Sequence, residues 1–408
     1  MIFDKIFDIA IEKNASDIHL VSNLPPVLRI DGKLFCLNDS DLTEEINCDL
    51  NIQEDIISAD SKDKDDKIDE NDFSSPIKYI FSDTGEIIKK GLLPENVEND
   101  DLSLVTSEKI NKILKKILNE NQLKKFFHHK DYDFSYEYKD FRFRVNISYE
   151  KNNLKLVARV INNKLPTLEE INMPKKVVDL LNLKQGLILL TGPTGCGKST
   201  SLAAMINYIN KTRSCNIITL EDPIEFVFKP IKSIISQRQL SVDMPTFASG
   251  LKHVLRQDPN VIMVGEMRDL ETISTAITLA ETGHLVLATL HTCNTYQTIN
   301  RIIDIFPAHQ QNQIKSQLSL TLLAVISQVL VPKKSGGRIA VRELLINNTA
   351  VANLIREQKI PQIKNVIKTH YADGMISFDR NIEELYNQGI IDETEYNNFL
   401  NSTYIRES

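Results

Sequence analysis

Apolar residues recur with helical spacing near the start of the chain and alternate with polar residues soon after. The first pattern predicts a helix over residues 2–13, and the second predicts short strands. The pair Asp31-Gly32 is typical of a hairpin turn between two of these strands. A second helix is predicted from Ser107, with that serine as its cap. Strands are predicted at 16–20, 27–30, 33–35, 134–138, 141–147 and 154–161. With no crossover helices between them, these elements predict a small α+β domain over residues 1–161.

After a short polar linker, residues 162–167, strand-sized apolar runs alternate with helical segments. This alternation is typical of a parallel sheet in an α/β domain, which we place at residues 168–345. From Thr295 onward the pattern predicts a mainly helical chain, and residues 346–408 are predicted to be a helical region. The predicted strands are 187–190, 216–220, 233–237, 261–264 and 285–290, and the predicted helices are 202–209, 247–255 and 270–280.

Charge is concentrated in one stretch. Residues 41–72 hold 13 Asp or Glu and three Lys, a net charge of −10, while the whole chain carries −7. The segment from about 38 to 106 is therefore predicted to be an acidic, partly disordered insertion, with a short apolar patch at 77–81 and a hairpin at 83–85. A docking arm for a basic partner is the alternative. The net acidity of the whole chain weighs against nucleic-acid binding.

The cysteines and the hydropathy indicate the compartment. Five cysteines, with no Cys-x-x-Cys pair, argue against a disulfide framework or a zinc site. No apolar run approaches the 18 residues of a membrane span, and the first residues lack the features of a signal peptide. These features predict a cytoplasmic protein.

Residues 192–200 carry the strongest chemical signal. They match G-x-x-x-x-G-K-[ST] between a predicted strand and a predicted helix, the setting of a nucleotide phosphate loop. In that motif Lys198 reaches the β- and γ-phosphates of ATP, and the Ser199 hydroxyl ligates Mg²⁺. A plain glycine turn is the alternative. The loop comprises Gly192, Pro193, Thr194, Gly195, Cys196, Gly197, Lys198, Ser199 and Thr200.

Candidate catalytic residues follow predicted strands downstream of the loop. Glu266 and Glu225 each come after an apolar strand that ends in acids, where a nucleotide hydrolase needs carboxylates for Mg²⁺ and for the attacking water. His291 follows a buried strand at the edge where ligands bind in open α/β sheets. Helix caps are the structural alternative for all three. Arg144 and Arg159 lie on adjacent strands and, on composition alone, are ordinary strand-face arginines.

Four motifs in order resemble the secretion ATPases of type II secretion and type IV pili, and within them the PilT-type retraction ATPases. The loop is similar to the family's Walker A motif. Residues 218–226 resemble its Asp box, residues 256–269 its Walker B motif, and residues 282–292 its His box. The opening, residues 15–20 with 29–32, is similar as well.

This resemblance implies a PAS-like N-terminal domain and a RecA-like ATPase domain, assembled as a hexameric ring. It also implies residue roles. Glu225 would polarise the attacking water, Glu266 would act at Mg²⁺ directly or through a water, and His291 would lie near the γ-phosphate. Arg144 and Arg159 would contact the nucleotide, from their own or a neighbouring subunit.

The retraction subtype rests on two segments near the end. Residues 350–357 resemble a helix motif of PilT-type enzymes, although Val351 and Ala352 stand where the family usually has Ile and Arg. Residues 374–379 are also similar. The function implied is Mg²⁺-dependent ATP hydrolysis that drives pilus retraction and twitching, at a platform protein of the inner membrane. The alternatives are an extension, accessory retraction, type II or type IVB secretion ATPase, a non-hydrolysing scaffold, and a DNA-translocating motor.

Overall fold

The computed structural model describes residues 2–30, 33–37, 43–45, 77–81, 87–92, 104–139, 141–161 and 165–402. It forms two compact units, Met1–Asn163 and Lys164–Ser408. The division falls within the segment predicted as a linker, of which residues 162–164 lie outside the described part of the chain. No helix among the described residues combines the length and apolar character needed to cross a bilayer.

The first unit is built on an antiparallel sheet. Its helices are α1 (Ile2–Glu12), α2 (Ser107–Ile117) and α3 (Glu120–His129), and its strands are β1 (Asp17–Val21), β2 (Val27–Ile30), β3 (Lys33–Leu37), β4 (Thr43–Glu45), β5 (Ile77–Phe81), β6 (Ile87–Leu92), β7 (Asp131–Tyr138), β8 (Phe141–Glu150) and β9 (Asn153–Ile161). Seven strands pair in the order β4-β3-β2-β1-β9-β8-β7. Every neighbouring pair is antiparallel.

One face of this sheet supplies the core of the unit. Alternate residues of the strands are buried, among them Ile18, Leu156 and Val145. They cluster with the apolar side of the helices, represented by Phe7 and Leu114. Period-two burial on the strands and helical spacing on α1 are the patterns that the sequence predicted.

Two details of the first unit differ from the prediction. The cap of α2 is Thr106, whose hydroxyl accepts a hydrogen bond from the Lys109 N–H at 3.2 Å, and not Ser107. Ser107 instead accepts a hydrogen bond from the Leu154 N–H at 3.0 Å and so connects α2 to β9. Helix α3 was not predicted, although Asn119 and Gln122 form a capping box at its start.

Most of the predicted acidic insertion lies outside the described residues, and so does the proposed turn at 83–85. The apolar patch at 77–81 forms strand β5, which pairs antiparallel with β6. The Asp31-Gly32 turn is also outside the described residues, but the strands that it joins, β2 and β3, pair as expected from Ile30 and Lys33 outward.

The second unit contains a seven-stranded, mostly parallel sheet with helices around it. Its strands are β10 (Gly186–Thr191), β11 (Asn216–Glu221), β12 (Ile234–Gln239), β13 (Val261–Val264), β14 (Leu285–Thr289), β15 (Leu322–Pro332) and β16 (Arg338–Ile346), in the order β12-β11-β13-β14-β10-β15-β16. Its helices are α4 (Lys175–Leu181), α5 (Lys198–Thr212), α6 (Phe247–Val254), α7 (Leu270–Glu281), α8 (Thr295–Asp304), α9 (Ala308–Thr321), α10 (Thr349–Arg356), α11 (Ile363–Thr369), α12 (Phe378–Asn387) and α13 (Glu393–Leu400).

The prediction of a mainly helical chain after Thr295 is wrong for β15 and β16. Residues 322–326 are a continuous apolar run, and four of these five side chains are buried. A run without alternation fits a doubly covered strand as well as a buried helix. β15 pairs parallel with β10 and antiparallel with β16, so it lies beside the strand that leads into the phosphate loop.

Beyond β16 the described elements are helical, as predicted. Helices α12 and α13 pack on the outer ends of β15 and β16 through buried apolar residues, among them Phe378, Ile382 and Phe399. The segment 350–357 forms α10, where Val351 and Ile355 are buried. Arg356 at its end donates to the Ser319 hydroxyl of α9 at 3.2 Å.

Candidate active site

The phosphate loop connects β10 to α5, as the motif requires. All six residues of β10 are buried, and α5 begins at Lys198 with Gly197 as its N-cap. The three loop glycines have positive φ, at +141° for Gly192, +78° for Gly195 and +85° for Gly197. Side chains disfavour these angles, so the glycines allow the backbone to curl at the helix N-terminus, where an anion is favoured.

Lys198 lies within the curl of the loop. Its ammonium donates to the Gly192 carbonyl at 2.6 Å and to the Pro193 carbonyl at 2.9 Å. Burial lowers the pKa of Lys198, while the negative charges of Glu266 and Glu225 act in the opposite direction. The sheet therefore brings both predicted carboxylates within electrostatic range of the loop lysine.

His291 joins the loop lysine to Glu266. Its Nδ1 lies 3.5 Å from the Lys198 ammonium, and its Nε2 lies 3.3 Å from Glu266 Oε2. An ammonium only donates hydrogen bonds and a carboxylate only accepts them. The neutral ring with its proton on Nε2 satisfies both partners, because Nδ1 then accepts from Lys198 and Nε2 donates to Glu266.

Arg268 is a neighbour of Glu266 that the sequence analysis did not single out. Its Nε lies 2.7 Å from Glu266 Oε1, opposite the oxygen that faces His291. The guanidinium is exposed, whereas only 16% of the Glu266 side chain is accessible. Each oxygen of the Glu266 carboxylate therefore has a partner, which fixes the orientation of the group.

A row of threonine hydroxyls supports the segment that carries His291. Thr191, at the end of β10, donates to the Thr292 carbonyl at 2.6 Å, and the hydroxyls of the two residues are 2.7 Å apart. The Thr292 hydroxyl is also 2.7 Å from that of Thr298 on α8. These bonds connect the start of the phosphate loop to the residue that follows His291.

Glu225 lies in the loop after β11 and is exposed, whereas Glu266 is half-buried. The acid that ends β11 itself, Glu221, is 7% exposed and accepts hydrogen bonds from Thr219 and Gln237. Burial raises the pKa of Glu221. Solvent therefore reaches Glu225 and Asp222, but not Glu221, in this motif.

Arg144 and Arg159 belong to the first unit, where they are direct cross-strand partners on β8 and β9. The same transverse row continues to Asp17 on β1 and Arg29 on β2. Arg159 Nε donates to Asp17 at 2.8 Å, and Arg29 Nε lies 3.7 Å from it. Burial alone would raise the pKa of Asp17, but hydrogen bonds from Arg159 and Ser16 outweigh it and lower that pKa. Asp17 thus lies between Arg159 and Arg29 in this row and pairs with both of them.

The residues predicted to bind Mg²⁺ present suitable atoms. Ser199 lies in the first turn of α5 with its hydroxyl, and Glu266 offers a carboxylate after β13. Oxygen donors of this kind, completed by phosphate oxygens and waters, suit Mg²⁺. The described residues contain no cluster of three or more His, Cys, Asp or Glu that would hold a metal without a nucleotide.

Comparison with known proteins identifies the family. The family model described as type II/IV secretion system protein matches residues 130–397. The chain belongs to this family. The resemblance drawn from the four motifs is therefore confirmed, and so is its α/β, RecA-like fold.

Members of the type II/IV secretion system family with curated names align over most of the chain. A twitching motility protein of Neisseria gonorrhoeae is 46% identical over 293 residues, 71% of this chain and 78% of the relative. The type IV pilus ATPase PilU of Pseudomonas aeruginosa is 34% identical over 393 residues, 96% of this chain and 86% of the relative. The crystal structure of the pilus retraction motor PilT with bound ADP matches with a TM-score of 0.78 and 37% identity, covering 99% of this chain and 98% of that one.

Proposed function

We propose that this chain is a Mg²⁺-dependent ATPase that drives type IV pilus retraction and twitching as a hexameric ring. The chain is an ATPase by its family and its relatives. The proposal of retraction is carried by one observation, the likeness over nearly the whole chain to a retraction motor that binds ADP. In this proposal the ring works against a platform protein at the cytoplasmic face of the inner membrane.

The loop and the carboxylates divide the work of hydrolysis. Water attacks the γ-phosphorus of ATP, and ADP and phosphate leave. Lys198 offsets the negative charge on the β- and γ-phosphate oxygens, and Glu225, which solvent reaches, orients and polarises the attacking water. Ser199 and Glu266 would hold Mg²⁺, directly or through a water, and the metal would neutralise charge on the phosphate oxygens.

His291 is the residue that can respond to the γ-phosphate. It contacts both the loop lysine and Glu266, so a phosphate that draws Lys198 away from Nδ1 leaves that nitrogen free to bind elsewhere. We propose that His291 then lies near the γ-phosphate; a hydrogen bond to a phosphate oxygen needs a proton on Nδ1, because phosphate oxygens only accept. Arg144 and Arg159 are proposed to contact the phosphates of a nucleotide, and the loss of that contact on hydrolysis would shift the balance between conformations.

A phosphate-release assay tests the enzymatic part of the proposal. The purified full-length chain should hydrolyse ATP only when Mg²⁺ is present, and Lys198→Ala should abolish turnover because the phosphate charge loses its partner. Lys211→Ala, a change of a basic residue in the last turn of the same helix, is the matched control and should leave turnover unchanged. Wild-type activity in Lys198→Ala would exclude the loop as the site.

Deleting the gene tests the direction of force. Retraction predicts cells with excess, immobile pili, whereas an extension ATPase predicts cells without pili. A second candidate is an accessory pilus ATPase, because the chain also aligns over 96% of its length with a second pilus ATPase, the type IV pilus ATPase PilU. In that case the deletion mutant should retain part of its twitching, and expressing the Lys198→Ala protein in that mutant should not restore the lost part.

A further inference from the structure

A buried glutamine on β15 contacts the phosphate loop. Gln328 is 1% exposed. Its Nε2 donates to the carbonyl of Cys196, inside the loop, at 2.8 Å. Its Oε1 accepts from the Ser201 hydroxyl of α5 at 2.9 Å and from Arg342 Nε on β16 at 3.3 Å. One amide thus joins the loop, the helix that follows it and the last strand of the sheet.

These contacts fix the orientation of the Gln328 amide. A flipped side chain would set its oxygen against the Cys196 carbonyl and its NH₂ group against the Arg342 Nε–H. Two acceptors or two donors would then face each other, and neither contact would be a hydrogen bond. Gln328 is therefore held as a donor toward the loop carbonyl.

Arg342, which donates to Gln328, is a buried arginine held by backbone carbonyls. It is 3% exposed, and among the described residues its guanidinium pairs with no carboxylate. It donates instead to the Ile171 and Asn172 carbonyls, at 2.9 and 3.0 Å, and to Gln328. Burial lowers the pKa of Arg342 to about 10, so it remains charged at neutral pH. A buried charge supported only by neutral acceptors costs stability, which is unusual for a residue that serves packing alone.

We propose that Gln328, oriented by Arg342 and Ser201, is a positioning residue that holds the phosphate loop in its nucleotide-binding shape through the Cys196 carbonyl. The inference rests on the loop being the nucleotide site, as proposed above. The backbone packing agrees with it, because a Cβ built on Gly192 would lie 2.3 Å from the Gln328 carbonyl oxygen. β15 therefore supports the loop through both its backbone and this side chain.

Gln328→Glu separates positioning from stability. The Arg342 guanidinium keeps the introduced carboxylate ionised, so the carboxylate can accept from Arg342 and Ser201 but cannot donate to Cys196. We expect the full-length variant to melt higher than Gln328→Leu, because the carboxylate keeps its contacts with Arg342 and Ser201. Its Kd for ADP and its KM for ATP should each rise about tenfold or more, because an acceptor then faces the loop carbonyl. Gln328→Leu, which also lacks the donor, should weaken binding similarly, and it should lower the melting temperature as well.

Asn347→Leu is the matched control. Asn347 also donates two side-chain hydrogen bonds, to the part-buried carbonyls of Ser319 and Leu322, but at the opposite end of β15 from the loop. A purely structural loss lowers the active fraction and hence the apparent kcat, so the control should keep its KM. Calorimetric titration with ADP and steady-state phosphate release measure both quantities. A folded Gln328→Glu protein with wild-type Kd and KM would overturn the positioning role alone, whereas a wild-type chain that binds no ADP would overturn the nucleotide site itself.

Discussion

Gly192 should tolerate no side chain, whereas Gly195, in the same loop, should tolerate alanine at a small cost. A Cβ on Gly192 would lie 2.3 Å from the carbonyl oxygen of Gln328 and 2.7 Å from the Cys196 sulfur. That carbonyl belongs to β15, which is bonded on both sides to other strands, so it cannot move without disturbing the sheet. A Cβ on Gly195 would meet no atom within 4 Å.

The difference in cost follows from these contacts. Alanine at Gly195 adds only backbone strain at φ +78°, about 1–2 kcal/mol. Alanine at Gly192 adds strain at φ +141° and also overpacking, together about 3–5 kcal/mol. For a unit of this size each kcal/mol lowers the melting temperature by about 2–4 °C. Gly192→Ala should therefore melt roughly 10 °C below the wild type, and Gly195→Ala only a few degrees below.

Thermal denaturation with and without ADP measures both effects. Gly336→Ala is the matched control, because Gly336 has φ +83° in the turn between β15 and β16 and a Cβ there would meet no atom within 4 Å. It should match Gly195→Ala in stability. The stabilisation by ADP should be lost in Gly192→Ala, since the loop must move away from β15. Equal melting temperatures for the Gly192 and Gly195 variants would refute the reasoning.

The remaining predictions concern chemistry and organisation. Glu266→Gln and Glu225→Gln should each retain ATP binding but lower kcat by roughly 10²-fold, measured by nucleotide titration and phosphate release; normal hydrolysis in both would remove their proposed roles. If the arginines act between subunits, mixing Arg144→Ala with Lys198→Ala protein should restore some turnover, and no rescue despite proven subunit exchange would contradict this. Replacing residues 46–103 by a short Gly-Ser link should leave hydrolysis intact, and loss of active protein would show that the segment is part of the fold.

The sequence predicted those parts of the site that have a local signal. Strand β10, the glycine loop and the start of α5 are contiguous, so their order alone indicates a phosphate site. Contact between Lys198, His291 and Glu266 is less local, because it depends on β10, β14 and β13 being neighbours in the sheet. The motifs implied this contact only through resemblance to a family. Arg268, which fixes the other oxygen of Glu266, carries no signal that separates it from a surface arginine.

The apolar run of β15 shows why the far side of the loop was missed. Residues 322–326 are apolar without alternation, so their pattern does not distinguish a strand from a helix. If β15 is not predicted as a strand, the sequence offers no element that could contact the phosphate loop from beyond β10. Gln328 then lies in a stretch predicted to be mainly helical, 132 residues from Cys196, and nothing in the sequence connects the two.

The burial of the charged residue Arg342 could not be predicted from the sequence either. Arg338, Ala340 and Arg342 alternate along β16, a pattern that indicates a solvent-facing side of a strand. Arg338 is exposed accordingly, yet Arg342 is 3% exposed. The difference comes from the carbonyls of residues 171 and 172, which lie before α4 and accept from its guanidinium. A charge can be buried where the fold supplies acceptors, and those acceptors come from a segment that is distant in sequence. Residues of this kind are therefore predicted from sequence only after the strand order is known.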